Sequence, residues 1–129
     1  MIQIEVYGKP FPWTAPKFSK GKVYDPKCKE KEELRWQIKG QYRGEPIAGP
    51  IHLDITFYRA IPVSTSRVRR LQMLNGRIVP MARPDTSNLF KAYEDCLKGI
   101  VIHDDNQSVD ISARQRYSDK PGALIRILP

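Results

Sequence analysis

Cysteine is nearly absent from this 129-residue chain: only Cys28 and Cys96 occur. Two thiols make no disulfide framework, and no cysteine spacing suits a metal, so both are read as reduced, ordinary side chains. Nor is there an apolar run near the roughly 20 residues that a membrane span needs. The first ten residues alternate apolar and polar and contain no apolar h-region, so no secretory signal peptide is expected. The expectation is a cytoplasmic protein without a membrane partner. No internal repeat or low-complexity tract interrupts the chain, and its length suits a single domain spanning 1–129. Acidic residues are in deficit: 14 Asp and Glu face 22 Lys and Arg, giving a net charge of +8. Such a surplus draws polyanions through counterion release and long-range steering, although a basic soluble protein need not bind one.

Hydrophobic periodicity supplies the elements. Ile2, Ile4 and Val6 alternate with Gln3, Glu5 and Tyr7, which predicts a half-buried strand. From Lys9 to Lys22, Pro10, Pro12 and Pro16 exclude helix and central strand. That leaves an extended loop in which Phe11, Trp13 and Phe18 accompany Lys17, Lys20 and Lys22. Aromatics there either pack on the sheet edge or stack on bases while the lysines meet phosphates. Asp25 is placed to cap a helix running from about Pro26 to Tyr42. Leu34 and Trp36 cannot share its narrow apolar stripe, and Lys29 to Glu33 form a solvated charged face.

Ile51, Leu53, Ile55 and Phe57 alternate with His52, Asp54, Thr56 and Tyr58. This predicts a strand with Asp54 on the face away from the apolar row, either solvated or turned towards an acidic site. A short helix is expected over 64–75, with Val68, Leu71 and Leu74 as its apolar stripe. Arg67, Arg69, Arg70, Arg77 and Arg83 make the densest basic segment, with no acidic residue among them. Lying just ahead of Asp85, they read as a phosphate-contact surface in preference to a solvated face. Two strands, over 108–117 and 123–128, complete an α+β domain. Its sheet is expected to be mixed or antiparallel, built from hairpins, with helices packed mainly on one side.

The most informative stretch is Arg83 to Gln107, RPDTSNLFKAYEDCLKGIVIHDDNQ, which places carboxylates at both ends of a helix. With Ser87 at zero and 100° per residue, Leu89, Phe90, Ala92, Tyr93, Cys96 and Leu97 fall between roughly 140° and 300°. Ser87, Asn88, Lys91, Glu94, Asp95 and Lys98 fall on the other arc. Gly99 suits the left-handed position after the helix, and Asp85 suits its N-cap. If Ile100–Ile102 returns antiparallel to the helix, Asp104 and Asp105 come back to Asp85, beside Lys91. Hard carboxylate oxygens are what Mg²⁺ prefers. The same pattern also fits a plain helix cap and a plain turn.

The run Asp85-Thr86-Ser87-Asn88-Leu89-Phe90-Lys91-Ala92, then Asp95, Leu97 and Asp104-Asp105-Asn106-Gln107, resembles the RusA family of Holliday-junction resolvases. The Pro-rich loop after the first strand and the basic insert ahead of the motif are similar as well. The resemblance covers most of the chain, with its specificity in 85–107. It implies a small homodimeric endonuclease, often prophage-borne, that resolves four-way DNA junctions by paired nicks in recombination and repair. It also implies Mg²⁺ as cofactor, with Mn²⁺ as a substitute. Asp85 and Asp105 match metal-binding aspartates, Asp104 the neighbouring acidic position, and Lys91 the catalytic lysine. The DNA-contacting candidates are the five arginines with Lys17 and Lys20. One departure matters: the family usually carries a second aspartate two residues after the first, and Ser87 stands there. Either Asp54 or Asp110 supplies the missing carboxylate, or the protein is a branched-DNA-binding dimer that cuts poorly.

Overall fold

The computed structural model of the chain describes residues 1–129. In chain order the elements are β1 (Ile2–Tyr7), β2 (Lys17–Ser19), β3 (Lys22–Tyr24), α1 (Cys28–Gln41), β4 (Ile51–Ala60), α2 (Arg67–Leu74), α3 (Thr86–Leu97), β5 (Ser108–Ser118) and β6 (Gly122–Leu128). The alternating stretches all join one four-stranded sheet of order β1-β6-β4-β5. Its inner face carries Ile4 and Val6, then Ile125 and Ile127, then Leu53, Ile55 and Phe57, all buried. Leu34 and Ile38 of α1 and the apolar arc of α3 cover that face. Each such side chain is worth roughly 1.5–3 kcal/mol of transfer free energy. No helix is long and apolar enough to cross a membrane.

The sheet is mixed but is not built from hairpins: its antiparallel pairs, β1 with β6 and β6 with β4, join strands that are not consecutive in the chain, and the consecutive pair β4 and β5 is parallel. A parallel pair needs a long crossover, and residues 61–107 supply it, with α3 laid on the inner face. Period two shows which residues alternate but not which strand they pair with. The Lys9–Lys22 loop also contains structure, since β2 and β3 form a separate two-stranded ribbon.

At α1 the N-cap position is Lys27, not Asp25. Asp25 acts from two residues outside, accepting from Lys27 N–H at 2.9 Å and pairing with Lys31 Nζ at 2.6 Å. Leu34 is buried and Trp36 is 79% exposed, so the stripe excludes the tryptophan. The far side of α1 closes the sheet. Gln37 exchanges hydrogen bonds with the backbone N–H and C=O of Tyr7 at 2.8 and 3.0 Å. Gln41 does the same with Glu5 at 3.0 and 2.6 Å. Two amides one turn apart thus take the place of a neighbouring strand along β1.

For α2 the expected apolar stripe is overturned. Val68, Leu71 and Leu74 are exposed, and Met73 is the buried residue. The helix touches the domain along one edge, and the Arg70–Asp119 ion pair ties it to the turn after β5.

Candidate active site

The face of α3 turned from the core carries Ser87, Asn88 and Lys91, and Asp85 stands at its start. Asp85 is the N-cap: its Oδ1 accepts from Asn88 N–H at 2.9 Å and from the Ser87 hydroxyl at 3.3 Å. Its Oδ2 makes no hydrogen bond within the chain, and the residue is exposed. Asp85 lines a cleft with Pro12, Trp13, Arg83, Pro84 and Asn88. Trp13 is held there by its backbone N–H, which donates to the Asn88 carbonyl at 3.0 Å. Lys91, about one and a half turns into α3, sits 3.7 Å above the Trp13 ring centroid. The ring faces the ammonium with its negative π cloud, an attraction of about 0.5–1 kcal/mol at exposed sites. Trp13 therefore aims Lys91, a role that no pattern in the sequence reveals.

The second acidic group lies at the other end of α3. Residues 97–102 do not form a return strand but coil tightly after the left-handed Gly99 (φ 79°). The Asp105 carboxylate then meets Lys98 Nζ at 3.3 Å, and the same ammonium meets Asp95 at 3.4 Å. Asp85 and Asp95 are ten positions apart, about 15 Å along the helix axis. Convergence of Asp85 and Asp105 beside Lys91 within one chain is thus overturned. Hydrogen bonding with Asp104 and with the Lys98 ammonium keeps the Asp105 carboxyl below its ordinary range. Neighbouring Glu94, half-buried, is pushed above its range by burial and then by Asp105 and Asp95.

Asp104 has a local task. Its side chain accepts from Asp105 N–H at 2.8 Å and forms a capping box with Gln107 around a 3-10 turn over Asp105–Gln107. Gln107 Oε1 accepts from His103 and Asp104 N–H at 2.7 and 3.0 Å. Its Nε2 donates to the carbonyls of Ile47 and Gly49 at 2.7 and 2.9 Å. Four bonds from one amide fix where Asp105 stands.

The sequence profile of the family described as endodeoxyribonuclease RusA matches residues 8–128, nearly the whole chain. The chain belongs to the RusA family. A relative, the uncharacterized protein YqaN of Bacillus subtilis (strain 168), is 33% identical over 134 residues, covering 98% of this chain and 94% of its own. RusA proteins are nucleases that resolve Holliday junctions and are generally dependent on a divalent metal.

A RusA metal site can be tested against this donor set. No three His, Cys, Asp or Glu side chains are grouped closely enough in one chain to enclose an ion. Mg²⁺, however, usually keeps several waters and takes one or two carboxylates with substrate phosphates. Asp85, with one uncommitted oxygen and the Ser87 hydroxyl against the other, fits that open kind of site. Within the chain, neither suggested substitute for the missing aspartate faces Asp85. Asp54 is paired with Arg114 at 2.7 Å on the opposite face of the sheet, and that guanidinium holds its carboxyl below the ordinary range. Asp110, in register with His52, lies on the same far face.

Of the basic candidates, Arg67, Arg69, Arg77 and Arg83 are exposed, as are Lys17 and Lys20. Arg70 is committed to Asp119. Arg83 borders the Asp85 cleft, which makes it the arginine nearest the chemistry.

Proposed function

We propose that this protein is a Mg²⁺-dependent endodeoxyribonuclease that resolves four-way DNA junctions by paired nicks, acting as a homodimer in recombination and repair. One observation carries this most: Asp85, with one carboxylate oxygen uncommitted, lines a cleft with Trp13 and Arg83, and Lys91 is fixed over Trp13. A divalent ion bound there would supply an activated water and charge neutralisation at the scissile phosphate. Asp85 and Ser87 would hold the hydrated ion. Arg83 and Asn88, with the N-terminal amides of α3, would seat the phosphate. Lys91 would offset charge developing on the phosphate or leaving oxygen. Mn²⁺ would substitute. The separation of Asp105 from Asp85 gives the homodimer a chemical part: a two-fold-related copy supplies Asp105 to the partner's cleft.

The test is a synthetic mobile junction incubated with Mg²⁺ or Mn²⁺. The wild type should yield symmetric paired nicks, and Asp85→Asn should lose about a hundredfold or more of that rate, several kcal/mol of metal-derived stabilisation. Tight binding with no cleavage in either metal would favour the second reading, a junction-binding dimer with a weakened centre. Ser87 is the observation behind that reading. Ser87→Asp, which restores a charged ligand, should lower the half-saturating Mg²⁺ concentration by roughly tenfold. An unchanged metal requirement would mean that another carboxylate already fills the position.

A further inference from the structure

We infer that the β2–β3 ribbon is a second DNA contact, separate from the α3 cleft, that enters the major groove of a duplex arm beside the junction. The inference rests on the reading of this protein as DNA-handling, and it adds the element and the groove. The two strands bond only to each other, in the register Lys17↔Tyr24, Phe18↔Val23 and Ser19↔Lys22. Every residue of both strands is exposed. Phe18 is 73% and Val23 65% exposed, and together they form an apolar face with nothing of the chain against it. A lone two-stranded ribbon is marginal in water, so this one is shaped to be covered by something else.

Charge says by what. Lys9, Lys17, Lys20 and Lys22 lie in a segment, Gly8 to Tyr24, that contains no acidic residue. The turn adds a second sign. Lys20 and Gly21 are both left-handed, with φ of 51° and 74°. A tight hairpin wants this conformation, but it favours Asn before Gly and disfavours a long side chain. A lysine at such a position puts an ammonium at the very tip of the ribbon, and strained residues of this kind concentrate at binding sites. Two strands about 4.8 Å apart with their side chains match a major groove about 12 Å wide, which has phosphates on both rims. The ribbon also follows Trp13, a wall of the Asp85 cleft, by only a few residues, so a junction seated in the cleft has an arm within reach.

The experiment measures binding in EDTA, where no cleavage occurs, as the slope of log affinity against log salt. The DNAs are a four-way junction with long arms, the same junction with arms trimmed to a few base pairs, and a linear duplex. The triple variant Lys17→Ala, Lys20→Ala, Lys22→Ala should flatten the slope by roughly 2–3 on the long-armed junction and the linear duplex. It should leave the trimmed junction unaffected. Lys20→Asn should flatten it by about 1 while leaving the melting temperature equal or higher, because Asn suits the turn. A merely structural ribbon predicts no change of slope in either variant, and that result overturns the inference. A loss confined to the trimmed junction overturns it too, by placing the ribbon at the branch point. A wild type that binds with this slope but cuts nothing would sink the nuclease reading and leave the ribbon standing.

Discussion

Asp85→Asn and Asp105→Asn proteins, each inactive on its own, are expected to regain cleavage when their subunits are mixed, and to make single unpaired nicks. The reason is geometric. In one chain Asp85 caps the start of α3, whereas Asp105 is paired with Lys98 at its end. If a site takes Asp85 from one subunit and Asp105 from the other, a mixed dimer has one site with both carboxylates and one with neither. Random exchange makes about half the dimers mixed, so about a quarter of the wild-type sites are restored. Each junction then receives one nick and is not resolved. Quantifying nicked against resolved product after subunit exchange checks this. Mixtures that stay inactive, although both variants still dimerise and bind junctions, would place the two carboxylates in separate roles within each chain.

Gly122→Ala should be the most damaging small substitution in the fold. Gly122 pairs with Tyr7 of β1 on one side and Tyr58 of β4 on the other. A methyl group built there would lie far inside van der Waals contact of the Val6 carbonyl oxygen. That neighbour is backbone, so no rotamer change relieves the overlap, and β1 must move from its register. A loss on the order of 3 kcal/mol is expected, or roughly 10 °C in Tm. Gly40→Ala is the counterpart. Gly40 lies in α1 with nothing within 4 Å of the added carbon, so the helical preference for Ala should give a gain of about 0.5–1 kcal/mol. Thermal melts of the two variants measure both, and a Gly122→Ala protein as stable as the wild type would show that the β1–β6 register slides freely.

The parts of this molecule that follow local rules are legible in its sequence. The apolar arc of α3, the Asp85 cap and the left-handed Gly99 each depend on neighbours within a turn, and each appears where the pattern places it. What depends on distant partners is not legible. Asp54 alternates like any strand carboxylate, and only the register of β4 with β5 puts Arg114 beside it. Val68, Leu71 and Leu74 are spaced like a core stripe, yet α2 turns Met73 inward. The position of Asp105 turns on how three apolar residues coil after Gly99 and on a glutamine that binds across to Ile47 and Gly49. The contact of Trp13 with Lys91 joins a proline-rich loop to a helix far along the chain, and no spacing rule encodes it.

The Gln37 and Gln41 amides have an effect beyond holding α1 to the sheet. A free strand edge is a template on which any other strand can add. By filling the donors and acceptors of Glu5 and Tyr7, the two glutamines make β1 a dead end for growth. At the opposite border β5 is joined by no further strand, and Val109 and Ile111 there are exposed. The sheet is therefore polar in a topological sense: it can be extended past β5 and not past β1. Strand-to-strand association of two such chains is thereby steered away from the β1 border and towards β5.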